Sequence, residues 1–476
     1  AVIGGALGLA LAAAAVPMAG KLIPTSLPIA ELPRVDLSML VFALVLTGLT
    51  GVGFGVAPAM RACSDAESGG LRDTSRVGAD RRTERLRAAL VLAEVTASVA
   101  LLIGSGLLLR ALWRLQSVDP GFRSAGVLTM RTTLPLPRYE ITRRRVLFYR
   151  RVLADVRALP GVSNAAYTTG LPMVVRGNVW PILLPGQTKT AAEAGLASVR
   201  YVTPGFFDTM GIPRRAGRDI AETDTADAPF AAVVSESFVR RYFPGENAIG
   251  RRFNVATSDR EIVGVVGDVR VRGLEQSSEP QVYLSYQQVA DSAIIGYIPK
   301  DLVVRISGSA AAFLPAIRAA VAKADSQLPV SSVRMLSEIV DADTAPRQVQ
   351  LRVIAGFAAV SFLLAGIGVH GLLAFTVSQR AREIGVRMAL GAQAGTILRM
   401  VLRQGTVLAA AGVLLGAALA YAAGRGMQAL LAGVSAADAP TFAAAAALSL
   451  AMTLVGSFFP ALRAARLDPV IVMRDE

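Results

Sequence analysis

The chain has 476 residues, of which 53% are hydrophobic, and its mean hydropathy of +0.49 excludes an ordinary soluble enzyme. Its net charge of +14 comes almost wholly from arginine, and no stretch interleaves basic with aromatic residues, so nucleic acid is not expected as a partner. The single cysteine, Cys63, excludes an intrachain disulfide. The single histidine, His370, excludes a zinc site built on two histidines.

Six apolar runs are long enough to cross a membrane, which takes roughly 20 helical residues. They cover residues 1–20, 38–60, 88–109, 353–378, 404–424 and 441–460. A polar segment of about 235 residues separates the third run from the fourth and has the composition of a globular domain. We therefore predict an α-helical integral membrane protein with about six transmembrane helices and one large extramembrane domain. The first residue already lies inside an apolar run, so we expect no signal peptide and a chain cut within its reading frame.

The basic residues of the short loops predict the orientation of the chain. Seven arginines lie in 61–87, five in 377–403 and three in the tail after 460. The opposite loops, 21–37 and 425–440, hold three basic residues between them. Short cytoplasmic loops are enriched in lysine and arginine, so the first three segments are predicted to be cytoplasmic. The large domain, 114–350, then faces the periplasm or the exterior.

One stretch of sixteen residues occurs in two versions. It reads PAMRACSDAESGGLRD at 58–73 and PALRAARLDPVIVMRD at 460–475. An aspartate precedes each first proline by 22 residues, Asp36 in one case and Asp438 in the other. Matching offsets of this kind indicate an internal repeat.

The apolar helices before these aspartates also match, since GGALGLALA resembles GVLLGAALA. Each contains a Gly-x-x-x-Gly pair, a spacing that lets transmembrane helices approach closely, although one such pair in an alanine-rich helix also arises by chance. The predicted helix-packing residues are Gly4, Gly8, Gly412 and Gly416. Residues 1–73 thus match 409–475 in the same orientation, which indicates a parallel duplication.

The polar domain begins and ends with a strand–helix–strand pattern, at about 126–168 and 301–336. We predict that the two units pair as a ferredoxin-like α+β lobe, with a second lobe inserted at about 170–297. Gly267 and Asp268 follow an apolar strand there, but their spacing fits no nucleotide-binding loop and predicts a strand-ending turn. Acidic residues are scattered, and the sequence contains no recognisable catalytic constellation.

The segment SQRAREIGVRMALGA, residues 378–392, is predicted to continue the fourth membrane helix into the cytoplasm. Ile384 and Met388 fall on one face, while Glu383 and Arg387 are four residues apart and can pair. Two interpretations remain open. The segment is either a juxtamembrane helix that satisfies the topology rule, or a lever that docks on a cytosolic partner.

Several motifs together resemble the FtsX/MacB-like permease family of ABC transporters, in its duplicated, acidobacterial-type form. QRAREIGVRMALGA and PALRAARLDPVIVMR resemble the permease domain, and VDPGFRSAGVLTM, PGFFDTMGIP, RRYFPGENAIGRRF and EIVGVVGDVR resemble the MacB-like periplasmic core. The resemblance implies that the segment matching 380–390 is the coupling helix that contacts the ATPase. Its residues are Arg380, Arg382, Glu383, Ile384, Arg387, Met388 and Leu390.

The resemblance also implies a domain plan. It assigns 1–73 to the last two helices and tail of a first permease half, 74–87 to a cytoplasmic linker, 88–113 to a membrane helix, 114–350 to the MacB-like core and 351–476 to an FtsX-like domain with three membrane helices. The first half lacks its leading helix, outer domain and coupling segment, so we expect an N-terminally truncated chain.

The function implied is that of a non-catalytic permease subunit in the bacterial inner membrane, with efflux or mechanotransmission as its role. We expect no cofactor or metal on the chain itself, and ATP on a cytosolic ABC ATPase partner. Membrane lipid and a periplasmic adaptor or outer-membrane component are the other expected partners. The alternatives are a regulator of a periplasmic or cell-wall enzyme, a lipoprotein-release type complex, and a membrane-tethered enzyme with its site in the inserted lobe.

Two ionisable residues lie within the predicted membrane helices. Glu94 is expected at the cytoplasmic interface, with a proton relay as the alternative. His370 is expected to form a hydrogen bond between helices, with ion translocation as the alternative.

Overall fold

A computed structural model describes residues 2–21, 36–45, 47–49, 52, 73–186, 195–291, 297–390, 392–431 and 433–466. These form two compact units, Ala1–Arg114 with Ala345–Glu476, and Leu115–Thr344. Cys63, the repeated stretch at 58–73 apart from its last residue, and the tail after Arg466 lie outside the described residues.

The first unit is helical, and the second combines helices with a sheet. The helices are α1 (Val2–Lys21), α2 (Leu37–Leu49), α3 (Asp73–Gln116), α4 (Thr142–Arg157), α5 (Phe206–Met210), α6 (Glu236–Tyr242), α7 (Ala310–Ala324), α8 (Leu336–Gln379), α9 (Ala381–Ala389), α10 (Ala394–Gly426) and α11 (Ala439–Ala465).

Four helices in the described part of the chain are long and apolar enough to cross a membrane. They are the Arg87–Gln116 part of α3, and α8, α10 and α11. A helix is the form in which a single segment satisfies its own backbone hydrogen bonds in lipid. These four match the last four predicted runs. Helix α1 occupies the first run, whereas much of the second lies outside the described residues. Helix α3 already begins at Asp73, so the expected linker at 74–87 is helical.

The two matching aspartates cap helices. The Asp438 carboxylate accepts a hydrogen bond from the Thr441 amide at 3.1 Å, at the start of α11. The Asp36 carboxylate accepts one from the Met39 amide at 2.9 Å, directly before α2. A capping side chain satisfies one of the amides that a helix N-terminus leaves without a partner. The equal offsets in the repeat therefore correspond to one physical role at the start of two helices.

The strands of the second unit are β1 (Val127–Arg131), β2 (Val162–Thr168), β3 (Asn178–Ile182), β4 (Gly195–Val202), β5 (Arg214–Gly217), β6 (Ala231–Ser235), β7 (Arg252–Val255), β8 (Ser258–Val266), β9 (Gln281–Ser285), β10 (Asp301–Ile306) and β11 (Ser331–Met335). One end of the sheet has the order β11-β1-β10-β2 with antiparallel pairing throughout. Helices α4 and α7 pack on it around a core that includes Tyr149, Val152 and Ile317. This arrangement confirms the ferredoxin-like lobe predicted from the two strand–helix–strand units.

The inserted lobe continues the same sheet instead of forming a separate one. Beyond β2 the strand order runs β4-β9-β6-β8-β5, with β3 on β4 and β7 on β8. The junction is narrow, since β2 and β4 pair through Thr168 and Val202 alone. Pairing of β4 with β9 and of β6 with β8 is parallel, and it joins residues far apart in sequence. We refer below to the four-stranded part with α4 and α7 as the frame, and to the β3–β9 region as the inserted lobe.

The turn after β8 connects two of the motifs that resemble the MacB-like core, EIVGVVGDVR and VDPGFRSAGVLTM. The Asp268 carboxylate accepts a hydrogen bond from the Ser237 amide at 2.6 Å and pairs with the Arg240 guanidinium. The Arg270 amide donates to the Pro120 carbonyl at 3.0 Å, so the GDVR turn contacts the VDPGF loop. The prediction of a strand-ending turn is confirmed, and the carboxylate is used in holding the fold.

Candidate coupling segment and helix contacts

The segment predicted to be one uninterrupted helix is divided in two. Helix α8 ends at Gln379, and Arg380 adopts φ −99° and ψ 10° before α9 begins at Ala381. The expectation of a continuous helix was therefore wrong at Arg380. Propensity did not indicate the break, because the sequence carries neither proline nor glycine at that point.

The inner face of α9 is anchored in the helical unit. Ile384 is 2% exposed and belongs to one core with Val377 of α8 and with Ile397 and Val401 of α10. Met388 packs against the same core while remaining partly exposed. Burying an isoleucine side chain contributes about 1.5–3 kcal/mol, so α9 is held on α8 and α10.

The outer face of α9 presents both charge and apolar surface. The side chain of Leu390 is 83% exposed and that of Val386 is 41% exposed. Arg387 pairs with Glu383 and donates to the Met400 sulfur at 3.2 Å. Exposed apolar side chains next to fixed charges are typical of a surface that contacts a partner. Of the other predicted coupling residues, Arg380 lies at the break before α9, and the Arg382 side chain lies outside the described part of the chain.

Two of the predicted packing glycines lie against α3. A Cβ atom at Gly412 would stand 2.5 Å from Val95 Cγ1. One at Gly416 would stand 2.7 Å from the Thr96 carbonyl oxygen. These distances are shorter than any normal contact between heavy atoms, so neither position has room for a side chain.

The other predicted pair has a different environment. A Cβ atom at Gly4 or Gly8 would meet no atom of the described chain within 4 Å. The contact that the structure does contain is at Gly5, where a Cβ would stand 2.6 Å from Thr47 Cγ2 of α2.

Replacing Gly416 by alanine should loosen the contact between α10 and α3. The Thr96 carbonyl belongs to the backbone of a helix and cannot rotate away, so we expect a loss of about 1–3 kcal/mol. The control is Gly395→Ala on the same helix, where a Cβ would meet nothing within 4 Å. Thermal unfolding in detergent measures both. Equal melting temperatures for the two variants would show that α3 and α10 are not in contact there.

The ionisable residues of the membrane helices lie at helix contacts. The His370 Nδ1 atom of α8 is 3.1 Å from the Gly456 carbonyl of α11, which agrees with the expected hydrogen bond between helices. The Glu94 carboxylate of α3 is half-buried and faces Gly368 of α8, where a Cβ would stand 2.6 Å from Oε2.

A longer pattern of small residues was missed by the sequence reasoning. On α10 the buried positions recur about every four residues, at Ile397, Val401, Gly405, Ala409, Gly412, Gly416, Ala420 and Gly424. On α11 they are Ala445, Ser449, Thr453, Ser457, Pro460, Ala461 and Ala464. The signal was available, since small residues recur with the helical period in both segments. Arg110 of α3, which pairs with Asp438, was also missed because its partner is 328 residues away.

The comparisons with known proteins agree with this architecture. The profile of the MacB-like periplasmic core domain matches residues 89–333, and the profile of the FtsX-like permease C-terminal domain matches residues 355–469. The chain therefore belongs to the FtsX/MacB-like family of ABC transporter permeases. It is a membrane protein with a large extracytoplasmic domain.

Individual relatives are more distant. The chain is 27% identical over 356 residues to a pyoverdine export ATP-binding/permease protein of Pseudomonas putida, covering 69% of this chain and 53% of the relative. It is 28% identical over 282 residues to a macrolide export ATP-binding/permease protein of Mannheimia succiniciproducens, covering 57% and 42%. The periplasmic region of MacB from Actinobacillus actinomycetemcomitans aligns with a TM-score of 0.33 and 14% identity, over 48% of this chain and 95% of that one. The chain thus spans about half the length of the curated relatives it matches.

Proposed function

We propose that this chain is the permease part of an ABC efflux system, in which a cytosolic ATPase moves α9 and thereby shifts the conformation of the extracytoplasmic domain. The observation that carries the proposal is the anchoring of α9: Ile384 is buried while Val386 and Leu390 on the other side are exposed. An element fixed on one face and free on the other can pass a displacement to the helices that hold it. The export named for the two relatives supports efflux as the direction of transport.

The connections along the chain suit mechanical transmission. Strand β11 ends at Met335, α8 begins at Leu336, and α9 follows after Arg380 alone. Helix α8 has 44 residues, a length of about 66 Å at 1.5 Å per residue. The segment from β11 through α8 to α9 would adopt two conformations, one favoured by ATP and the other by ADP on the partner. Alternation between these two conformations would constitute the transport cycle.

The proposal assigns no chemistry to this chain. ATP binds a cytosolic partner or a segment beyond this sequence, and the chain itself hydrolyses nothing. The C-terminus and α9 are cytoplasmic, lipid surrounds the helices, and a periplasmic adaptor or outer-membrane component receives the cargo. The repeat assigns residues 1–73 to a first permease half. Regulation of a cell-wall enzyme has less support than efflux, because both relatives are named for export.

Reversing one charge of the α9 pair tests the coupling. We expect Glu383→Lys or Arg387→Glu alone to reduce permease-stimulated ATP hydrolysis several-fold, because each variant places like charges four residues apart on the docking helix. The double variant restores opposite charges and should recover a large part of the stimulation. The measurement is ATP turnover by the cognate ATPase in nanodiscs containing each variant.

Arg399→Glu serves as the control, since it reverses an exposed charge on the first part of α10 without touching the pair. Unchanged stimulation in both single variants would contradict a role of this surface in coupling. If the single variants and the double variant all lose ATPase stimulation, the partner recognises the individual charges of Glu383 and Arg387 and not their pairing.

A further inference from the structure

A cleft of about 600 Å³ lies within the second unit, between the frame and the inserted lobe. The start of α4 forms one wall, and the segment before β6, the β7–β8 turn and the residues after β9 form the others. The lining includes Ile141, Val146, Tyr201, Phe230, Arg260 and Val289. The size of the cleft is that of a small-molecule site, and its apolar side chains share the lining with polar and charged ones.

Arg260 is the unusual residue of this cleft. Its side chain is 2% exposed, and its guanidinium lies 4.9 Å from the centre of the Phe230 ring. Nη1 donates to Gln288 Oε1 at a long 3.3 Å, and the buried Nε has no hydrogen-bond partner. No carboxylate in the described ranges forms an ion pair with it. Burial lowers the pKa of Arg260, although a guanidinium keeps its proton in proteins.

Two other arginines are equally buried, and both are satisfied by oxygen atoms. Arg145, 1% exposed, donates to the Tyr139, Glu140, Val289 and Ala290 carbonyls and to Thr142 Oγ1, at 2.6–3.1 Å. Arg200, 1% exposed, donates to the Gly170, Val175 and Arg176 carbonyls and to Ser198 Oγ, at 2.8–3.2 Å. A buried N–H group without an acceptor is costly, which is why this chain surrounds the other two with acceptors. The Nε–H group of Arg260, a residue of the cleft wall, thus lacks a hydrogen-bond acceptor in the described part of the chain.

The Gln288 side chain, which accepts a hydrogen bond from Arg260 Nη1, cannot rotate to accept one from Nε as well. Gln288 Nε2 donates to the Thr225 and Pro229 carbonyls at 3.2 and 3.3 Å. Gln288 Oε1 also accepts from the Ala231 amide at 3.2 Å. Both polar atoms of the Gln288 side chain are therefore engaged, and neither is left to accept a hydrogen bond from Arg260 Nε.

We infer that the cleft binds a monocarboxylate with an aromatic or branched apolar body, whose carboxylate accepts a hydrogen bond from Arg260. Carboxylates match the fork of a guanidinium, and the apolar walls suit the remainder of such a ligand. Three other charged side chains, Arg143, Asp227 and Asp291, also line the cleft. A hydrogen bond from the Thr142 amide lowers the pKa of Asp291, so it is ionised at neutral pH and offsets part of the positive charge of Arg143 and Arg260. The inference goes beyond the proposed transport function and requires no ATPase.

Binding of 2-naphthoate to the 476-residue chain in nanodiscs tests this inference. Equilibrium dialysis, corrected for empty nanodiscs, compares 2-naphthoate with its neutral amide, 2-naphthamide. We expect the acid to bind at least about tenfold more tightly than the amide, because a charge-assisted hydrogen bond is lost in the amide. Arg260→Met keeps an unbranched apolar stem and should abolish this preference.

Two further variants complete the test, one that blocks the cleft and one that serves as a control. Val146→Trp fills the cleft from α4 while leaving Arg260 intact, and it should weaken binding of both compounds at least about tenfold. Arg252→Met removes an exposed arginine from the neighbouring strand β7 and should bind both compounds as the unmodified chain does. Equal affinity for acid and amide, or unchanged binding by Arg260→Met or Val146→Trp, would overturn the inference.

Discussion

Replacing Gly121 by alanine is expected to destabilise the second unit by about 2–5 kcal/mol. Gly121 has φ +81°, a conformation that costs other residues about 1–2 kcal/mol. A Cβ atom there would also stand 1.8 Å from the Asp268 carbonyl oxygen and 2.9 Å from its carbon. Both atoms belong to the backbone of the GDVR turn, which is fixed by hydrogen bonds to Ser237 and Pro120. The chain can accept the methyl group only by separating the two motifs, which adds about 1–3 kcal/mol.

Gly245→Ala is the matched control. Gly245 has φ +75°, but a Cβ there would meet no atom of the described chain within 4 Å, so only the conformational cost of about 1–2 kcal/mol is expected. Hydrogen exchange of peptides from β8 and β9 reports the opening free energy of this region in the full chain. If both variants lower that free energy equally, the contact between Gly121 and Asp268 is not rigid.

Arg145→Met is expected to cost about 3–5 kcal/mol, although methionine fits an apolar interior well. The substitution removes a donor from five oxygen acceptors, four of them backbone carbonyls that cannot move independently, although the Val289 carbonyl keeps a second donor in Thr142 Oγ1. Removing one partner from a buried charged network carries a cost of this size. Because Arg145 connects α4 with the Val289 and Ala290 carbonyls, we expect the frame and the turn after β9 to separate locally.

Arg151→Met on the same helix is the comparison for this second prediction. Arg151 is exposed, so its replacement should change stability by no more than about 0.5 kcal/mol. Hydrogen exchange in the Arg145→Met variant should rise in peptides covering 139–145 and 286–290. Exchange that rises equally over the whole sheet would show that Arg145 acts globally, and unchanged exchange would contradict its role as a connector.

The frame was predictable because its information is local. In each strand–helix–strand unit the apolar period changes from two residues to about four within a short stretch, and right-handed crossovers then leave few arrangements. The inserted lobe was recognised only as an insertion, since parallel pairs such as Ser198 with Gln281 join strands more than eighty residues apart. No single segment contains the information that these strands extend the sheet of the frame.

The membrane contacts were predictable only in part, for a similar reason. Gly412 and Gly416 are conspicuous within their own helix, yet the atoms that need the space belong to Val95 and Thr96 of α3. The ion pair of Arg110 with Asp438 depends equally on a distant partner. The unsatisfied Nε of Arg260 is the extreme case, because a residue can be known to lack a partner only once its surroundings are known.

The inserted lobe leaves the frame and returns to it at almost the same point. Thr168, the last residue of β2, pairs with Asp301, the first residue of β10, and the Lys300 amide donates to the Thr168 carbonyl at 3.0 Å. A segment whose ends meet in this way can be lengthened, shortened or exchanged while the four frame strands keep their register. The lobe also supplies Arg260 to the cleft, whereas the frame supplies Ile141 and Val146. Exchange of the lobe would therefore replace Arg260 together with apolar lining residues such as Tyr201 and Phe230, so that ligand preference can diverge between related permeases while the frame is retained.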